Sequence, residues 1–353
     1  MNLQKAISEL LNLTTLFSGK ADQVQGPGGN TSVKTDDGLM VIKASGFRFE
    51  ELNLNQGISA VNSKNISAYF HAVNPQDKAA EEQTMLNLTA DNILHQPDGV
   101  LYPKPSMETG FHAVLGKCVV HTHSVWSNLI NCAENRLQLL EALQKTMPFQ
   151  IAHLPFVSPG FGLSYLVCKL IKSQMEAGKA PHDIYLLGNH GIIAHADTAE
   201  AVAHMLEETD EAIRSILGIK KQYPSTALVK VSDGIWKPDS DFISEQLQHY
   251  NCRPAFFDQV LFPDQTVFFK DQISDDHSVP KKINIHKNKP EYRGNYREAV
   301  SMHETLTAYM FIHHTLSELN LKPHYIGHSE IDYINNMDME KYRKGLMGEE
   351  GKI

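Results

Sequence analysis

Apolar residues recur at helical spacing from the start of the chain. Leu3, Ile7, Leu10, Leu11, Thr14 and Phe17 fall on one face of an amphipathic helix. The period then shortens. Residues 31–35 and 39–44 alternate polar and apolar positions and read as two strands joined through Asp36-Asp37-Gly38, a hairpin turn. Ser45-Gly46 closes the second strand. A helix is predicted over 79–95. Pro103 and Pro105 then make a rigid approach to a short helix in SMETGFHAVLG, which Ser106 is placed to cap. CVVHTHS (118–124) reads as a buried strand, followed by helical VWSNLINCAEN and ALQKT. IAHLPFV is a further strand, stopped by Ser158-Pro159-Gly160. LSYLVCKLIKSQMEAG is a helix with Gly178 as its C-cap. DIYLLGNHGIIAHA forms two strands pivoting on 188–191, and Asp197 with Glu200 gives a capping-box start to a long helix ending near Leu217. Strands and helices are mixed rather than strictly alternating, which predicts a layered sheet with helices on its faces rather than a doubly wound fold.

The pattern changes near residue 222, where Tyr223-Pro224-Ser225-Thr226 reads as a break. Beyond it QVLFPDQTVFF suggests short apolar strands, KDQISDDHSVPKK is polar and charged, and two late helices surround EAVSMHETLTAYMFIHHTL and SEIDYINNMDMEKYRKGLM. Residues 1–222 and 223–353 are therefore expected to be a main domain and a small mixed C-terminal subdomain.

The 353 residues are 42% hydrophobic and 21% charged, which excludes disorder, collagen and coiled coil as whole-chain descriptions. A formal net charge of −9 without a basic run argues against a nucleic-acid or membrane-surface partner. No run of eighteen apolar residues occurs, and the N-terminus lacks the basic start and apolar core of a secretory signal, so a soluble cytoplasmic chain is expected. The four cysteines, at 118, 132, 168 and 252, are too far apart for a CxxC motif and too few for a disulfide framework; they read as reduced structural thiols.

Against that background the 18 histidines draw attention to two motifs. In His121-Thr122-His123 the residues at i and i+2 share one face of a strand, so both imidazoles can converge on one divalent ion. A hydrogen-bonded histidine pair at a polar strand end fits the same pattern. In Gly188-Asn189-His190-Gly191 a histidine follows the apolar strand IYLL; the glycines mark at least a tight turn. Combined, the three rings make a His₃ set with an open coordination position, which is a catalytic rather than a structural zinc arrangement. Glu108 follows the proline-rigid loop thirteen residues before His121, within reach of the same sheet edge as a ligand or general base; as a plain surface carboxylate it would complement a helix dipole. His112, one turn later, suits core packing or a supporting role behind the site. Gly28-Gly29-Asn30-Thr31-Ser32 and Lys43-Ala44-Ser45-Gly46 are turns able to present amide and hydroxyl donors to an anion, although turn chemistry alone explains each. Neither is a Walker A or GxGxxG loop.

The order GGNTS, KASG, PSMETGFH, VVHTHS and LLGNHGIIAHADTAEAV resembles the class II aldolase/adducin family over roughly residues 5 to 217. The resemblance implies a three-layer α/β/α sandwich around a mostly antiparallel sheet, assembled as a homo-tetramer with sites at subunit interfaces. It further implies zinc, or another divalent metal, on His121, His123 and His190, with Glu108 as the catalytic carboxylate. Asn30, Ser45, Gly46 and Ser106 would hold a substrate phosphate. Sugar-phosphate aldolases of the family often carry two serines before the glutamate, whereas Met107 follows Ser106 here. The 4-epimerase branch typically has aspartate in place of Glu108, so the glutamate favours an aldolase. The implied reaction is retro-aldol cleavage of a rhamnulose- or fuculose-like ketose 1-phosphate through a zinc-stabilised enediolate, with the acid for the aldehyde oxygen commonly supplied by a neighbouring subunit. An epimerase, a decarboxylase and a metal-free adducin-like binding protein are the alternatives. FPDQTVFF and EKYRKGL in the tail are similar to segments closing the aldolase part of bifunctional rhamnulose-phosphate aldolase/dehydrogenase proteins. No dinucleotide fingerprint occurs, so no dehydrogenase is expected.

Overall fold

The computed structural model describes residues 1–75, 78–251, 254–276 and 278–337. Its first half runs α1 (Leu3–Thr15), β1 (Asn30–Lys34), β2 (Leu39–Lys43), β3 (Ile58–Asn62), α2 (Ser63–Ala72), α3 (Lys78–Asp91), α4 (Thr109–Val114), β4 (Cys118–Thr122), α5 (Val125–Asn131) and α6 (Arg136–Gln144). There follow β5 (Ile151–Leu154), α7 (Phe161–Glu176), β6 (Ile184–Leu187), β7 (Gly191–Ala196) and α8 (Ala199–Ile216). The seven strands form one sheet in the order β3-β2-β1-β4-β7-β6-β5, antiparallel throughout except for the parallel β5–β6 pair.

Alternation along the strands builds the three layers. Cys118 and Val120 of β4, with Ile192 and Ala194 of β7, face a core that includes Leu10 of α1 and Val202 and Leu206 of α8. Val119 and Ile193, one residue out of phase, face Phe111 of α4 and Leu163 and Val167 of α7. Helices thus cover both faces of a mostly antiparallel sheet, the α/β/α sandwich expected. The same period of two sends His121 to the α4–α7 side, where Phe111 meets its ring edge-on at 5.8 Å between centroids.

The remaining elements are β8 (Leu228–Ser232), β9 (Ile235–Pro238), α9 (Phe242–His249), α10 (Pro263–Phe268), β10 (Ile273–Ser274), β11 (Ile283–His286), β12 (Lys289–Arg293), α11 (Tyr296–Glu318) and α12 (His328–Asn336). Their five strands make a second sheet, β10-β11-β12-β9-β8. α11 is buried on every side from Ala299 to Ile312. Its apolar residues share one cluster with Val125, Trp126 and Leu129 of α5, so this segment packs directly on the helix that follows the HTH strand.

Local details depart from the sequence expectations where two signals compete. Pro263–Phe268 forms α10, not a strand: three consecutive polar residues, Asp264-Gln265-Thr266, break any alternation of two, and Pro263 at the first helical turn presets the helical φ. The N-cap of α8 is Thr198, whose hydroxyl accepts the Ala201 amide at 3.2 Å; Asp197 lies one residue too early, and Glu200 falls outside a capping box. Ser106 is not the cap of α4. Glu108 holds that position, with φ −93° and ψ 10°, and makes no capping bond because its carboxylate turns elsewhere. The C-terminal EKYRKGL lies outside the described residues.

Candidate metal centre and active site

The site forms at one end of the seven-stranded sheet. Pairing of Asn30 with His121 and of Leu187 with Gly191 brings the start of β1, the end of β4 and the β6–β7 turn to a common edge. Gly191 permits the close approach there, since a Cβ would overlap the Thr122 carbonyl oxygen. α5 ties down the turn: Asn128 Nδ2 donates to the His190 carbonyl at 3.2 Å, and Asn131 Nδ2 to that of Gly191 at 2.8 Å.

His121, His123 and His190 are all buried, and each offers a ring nitrogen within 4.8 Å of the others. The donor set fits a divalent cation for a specific reason. His121 Nδ1 donates to the Ile192 carbonyl at 3.0 Å, and His123 Nδ1 donates to the carboxylate of Asp264. With their protons on Nδ1, the two rings present Nε2 lone pairs to each other across 3.1 Å, an arrangement that only a shared proton or cation relieves. Burial pushes the His121 imidazole down to about 4, the neutral form that a metal needs.

Glu108 completes the constellation. Its Oε2 lies 3.6 Å from His121 Nε2 and its Oε1 3.7 Å from His190 Nε2. Asn30 Nδ2 holds Oε2 at 2.7 Å and reaches Ser106 Oγ at 3.0 Å, so both amide hydrogens of Asn30 are directed at site residues. Behind Asn30, His112 Nε2 donates to its Oδ1, while Ser32 Oγ donates to His112 Nδ1 at 2.7 Å. This relay needs a neutral His112, and its pKa lies well below the ordinary value through burial, with Lys34 and His121 adding repulsion. Glu108 Oε1, in contrast, is buried and accepts no hydrogen bond.

Asn30, Ser45, Gly46, Ser106, Glu108, His123 and His190 line one cavity, with His121 at 0% exposure behind it. The expected turn amides are partly spent: Ser45 N–H donates to the Lys104 carbonyl at 2.9 Å and Gly28 N–H to that of Gln25 at 3.0 Å. Lys43, which the KASG turn contained without a role for its side chain, and Asp264, which no motif singled out, also line the cavity. Lys43 is 2% exposed, with Nζ donating to the Phe47 carbonyl at 2.7 Å. Asp264 comes from α10, in the segment QVLFPDQTVFF that was expected to form strands.

This combination of a sandwich fold and a three-histidine, one-carboxylate site defines a candidate metal-dependent enzyme. The family model described as Class II Aldolase and Adducin N-terminal domain matches residues 8–217, and the chain belongs to that family. It is 26% identical over 207 residues to the uncharacterized oxidoreductase YuxG of Bacillus subtilis (strain 168), covering 56% of this chain and 27% of that one. It is 27% identical over 148 residues to the 3-oxo-tetronate 4-phosphate decarboxylase of Escherichia coli O6:H1, covering 38% and 64%. The chain thus spans about a quarter of YuxG and under two thirds of the decarboxylase. Among solved structures, the N-terminal class II aldolase domain of a conserved protein from Thermoplasma acidophilum is similar with a TM-score of 0.49 and 22% identity, over 62% of this chain and 96% of that one. No helix among the described residues is long and apolar enough to cross a membrane.

Proposed function

We propose that the protein is a carbon–carbon lyase that cleaves a ketose 1-phosphate of the rhamnulose or fuculose type by retro-aldol chemistry. The observation that carries this reading is the inequality of the two Glu108 oxygens beside the histidine set: Oε2 is fixed by Asn30, and Oε1 accepts no hydrogen bond. His121, His123 and His190 would hold zinc or another divalent cation, which when bound supplies Lewis-acid stabilisation of charge on a substrate carbonyl oxygen. Glu108 Oε1 delivers a proton to, or removes it from, the carbon whose bond to the aldehyde fragment breaks. Asn30 and His112 keep that carboxylate from rotating away. The hydroxyls of Ser45 and Ser106 are donors for the phosphate, and the Lys43 Nζ, anchored on the Phe47 carbonyl, is a further donor in the cavity wall. The reading includes a homo-tetramer in which a neighbouring subunit supplies the acid for the aldehyde oxygen.

Decarboxylation is the second reading. It is favoured by the relatives named 3-oxo-tetronate 4-phosphate decarboxylase, and it likewise breaks a carbon–carbon bond next to a carbonyl. Product analysis separates the two. Incubation with rhamnulose and fuculose 1-phosphates should release dihydroxyacetone phosphate and an aldehyde. Carbon dioxide from a 3-oxo acid phosphate, with the ketose phosphates untouched, would replace the aldolase reading. An isomer in place of fragments would make the protein an epimerase.

A further inference from the structure

The chain beyond residue 217, outside the family match, reaches back to the metal centre at two points. At the first, Asp264 of α10 is 1% exposed, and its Oδ2 accepts the Nδ1–H of His123. Gly28 faces this pair. A Cβ there would stand 2.9 Å from His123 Nδ1 and 3.0 Å from Asp264 Oδ2, so glycine leaves room for the contact. At the second, Asn189 adopts a left-handed φ of 53° immediately before His190. Its Nδ2 donates to the carbonyls of Leu261 at 2.9 Å and His324 at 2.7 Å, and its Oδ1 accepts from His324 Nδ1 at 2.9 Å. Two of the three histidines are therefore braced by the same distal segment.

We infer that Asp264 is a positioning residue of the metal centre, and that the C-terminal segment is thereby a built-in part of the site. The inference rests on the metal-binding reading above. A neutral imidazole carries one proton; a carboxylate accepting it at Nδ1 leaves the lone pair on Nε2 and locks the ring plane toward the other ligands. His121 receives the same service from a backbone carbonyl, which no side-chain change removes. For His123 the orienting group is a side chain 141 residues away, so a substitution can test it.

The experiment uses the full chain and measures the zinc dissociation constant by competition with a chromophoric chelator. Asp264→Asn, which keeps the volume, and Asp264→Ala should each weaken zinc binding, by roughly 10–100-fold for the alanine variant. Val267→Ala, a core truncation on the same helix, should leave it near wild type while lowering the thermal midpoint. A ¹⁵N spectrum of the metal-free protein should show His123 predominantly protonated at Nδ1 in wild type and as a tautomer mixture in Asp264→Asn. Wild-type zinc affinity in both Asp264 variants overturns the inference, and if the alanine variant does not fold, the asparagine variant decides. Wild-type protein that binds no zinc overturns the metal reading itself, so the two failures are distinguishable.

Discussion

The chemistry proposed for Glu108 depends on an asymmetry within one side chain. Oε2 is held by Asn30, which is held by His112, which accepts from Ser32; Oε1 accepts no hydrogen bond. Glu108→Gln preserves shape and an acceptor but cannot carry the proton. It should lower kcat by about 10²–10⁴-fold with zinc stoichiometry and thermal midpoint unchanged. Steady-state kinetics beside metal analysis checks this, and near-wild-type turnover would remove Glu108 from the proton transfer. How much of the site could be read from the chain follows the range of each signal. His121 and His123 were legible because a strand converts an i, i+2 spacing into a shared face. His190 was visible through its glycine bracket, and Glu108 through the order of blocks around it. His112 offered core packing or support, and the structure shows both burial and the relay. Asp264 was not legible: no local rule links it to His123, and the apolar residues on either side of Asp264-Gln265-Thr266 suggested strands and concealed its helix.

At the scale of elements, the strands of the main sheet were readable wherever turns and alternation agreed, as in the β1–β2 hairpin. The tail strands β8 and β9 were not, because their residues are exposed or half-buried; β11 and β12 do bury residues, but they are only four and five residues long, too short to stand out as a pattern. One contact between helices carries a pH signature. Asp210 of α8 accepts from Ser124, the N-cap of α5, and from Gln23. Burial pushes its carboxyl up from 3.8 to about 7 despite these donors. Between those pH values the folded protein keeps a proton that the unfolded chain has released, so stability falls as pH rises through that window. Urea unfolding at pH 5 and pH 7.5 should show wild type losing on the order of 1–3 kcal/mol that Asp210→Asn does not lose. Parallel pH profiles for the two proteins would contradict the assignment.

For the whole molecule, the distal segment and the aldolase-type domain are joined by charge as well as by the apolar cluster on α5. Arg48 forms a two-pronged pair with Glu304 of α11, at 2.9 and 2.8 Å, and Glu304 also accepts the Gly26 amide at 2.8 Å. Burial alone would lower the Arg48 pKa; Glu304 and Glu50 outweigh it and raise it. Arg297 of α11 adds a pair with Glu51 at 2.6 Å. Glu304→Ala leaves a buried guanidinium with Glu50 as its sole carboxylate partner among the described residues, beside the Ser301 hydroxyl, and should cost about 3–5 kcal/mol. Equilibrium denaturation measures this; a loss below about 1 kcal/mol would mean that water or a rearranged Arg48 restores the balance. The division expected at residue 222 came from a break in the pattern, and that break could not show that residues on both sides of it line one cavity.

The central claim is that a three-histidine metal centre drives cleavage of a carbon–carbon bond. Its most direct test is to titrate zinc into chelator-stripped protein while following release of dihydroxyacetone phosphate from the ketose 1-phosphate. The account predicts no release without metal, recovery that saturates at one equivalent per chain, and no recovery in His121→Ala. Cleavage by metal-free protein, or full recovery in His121→Ala, would contradict it.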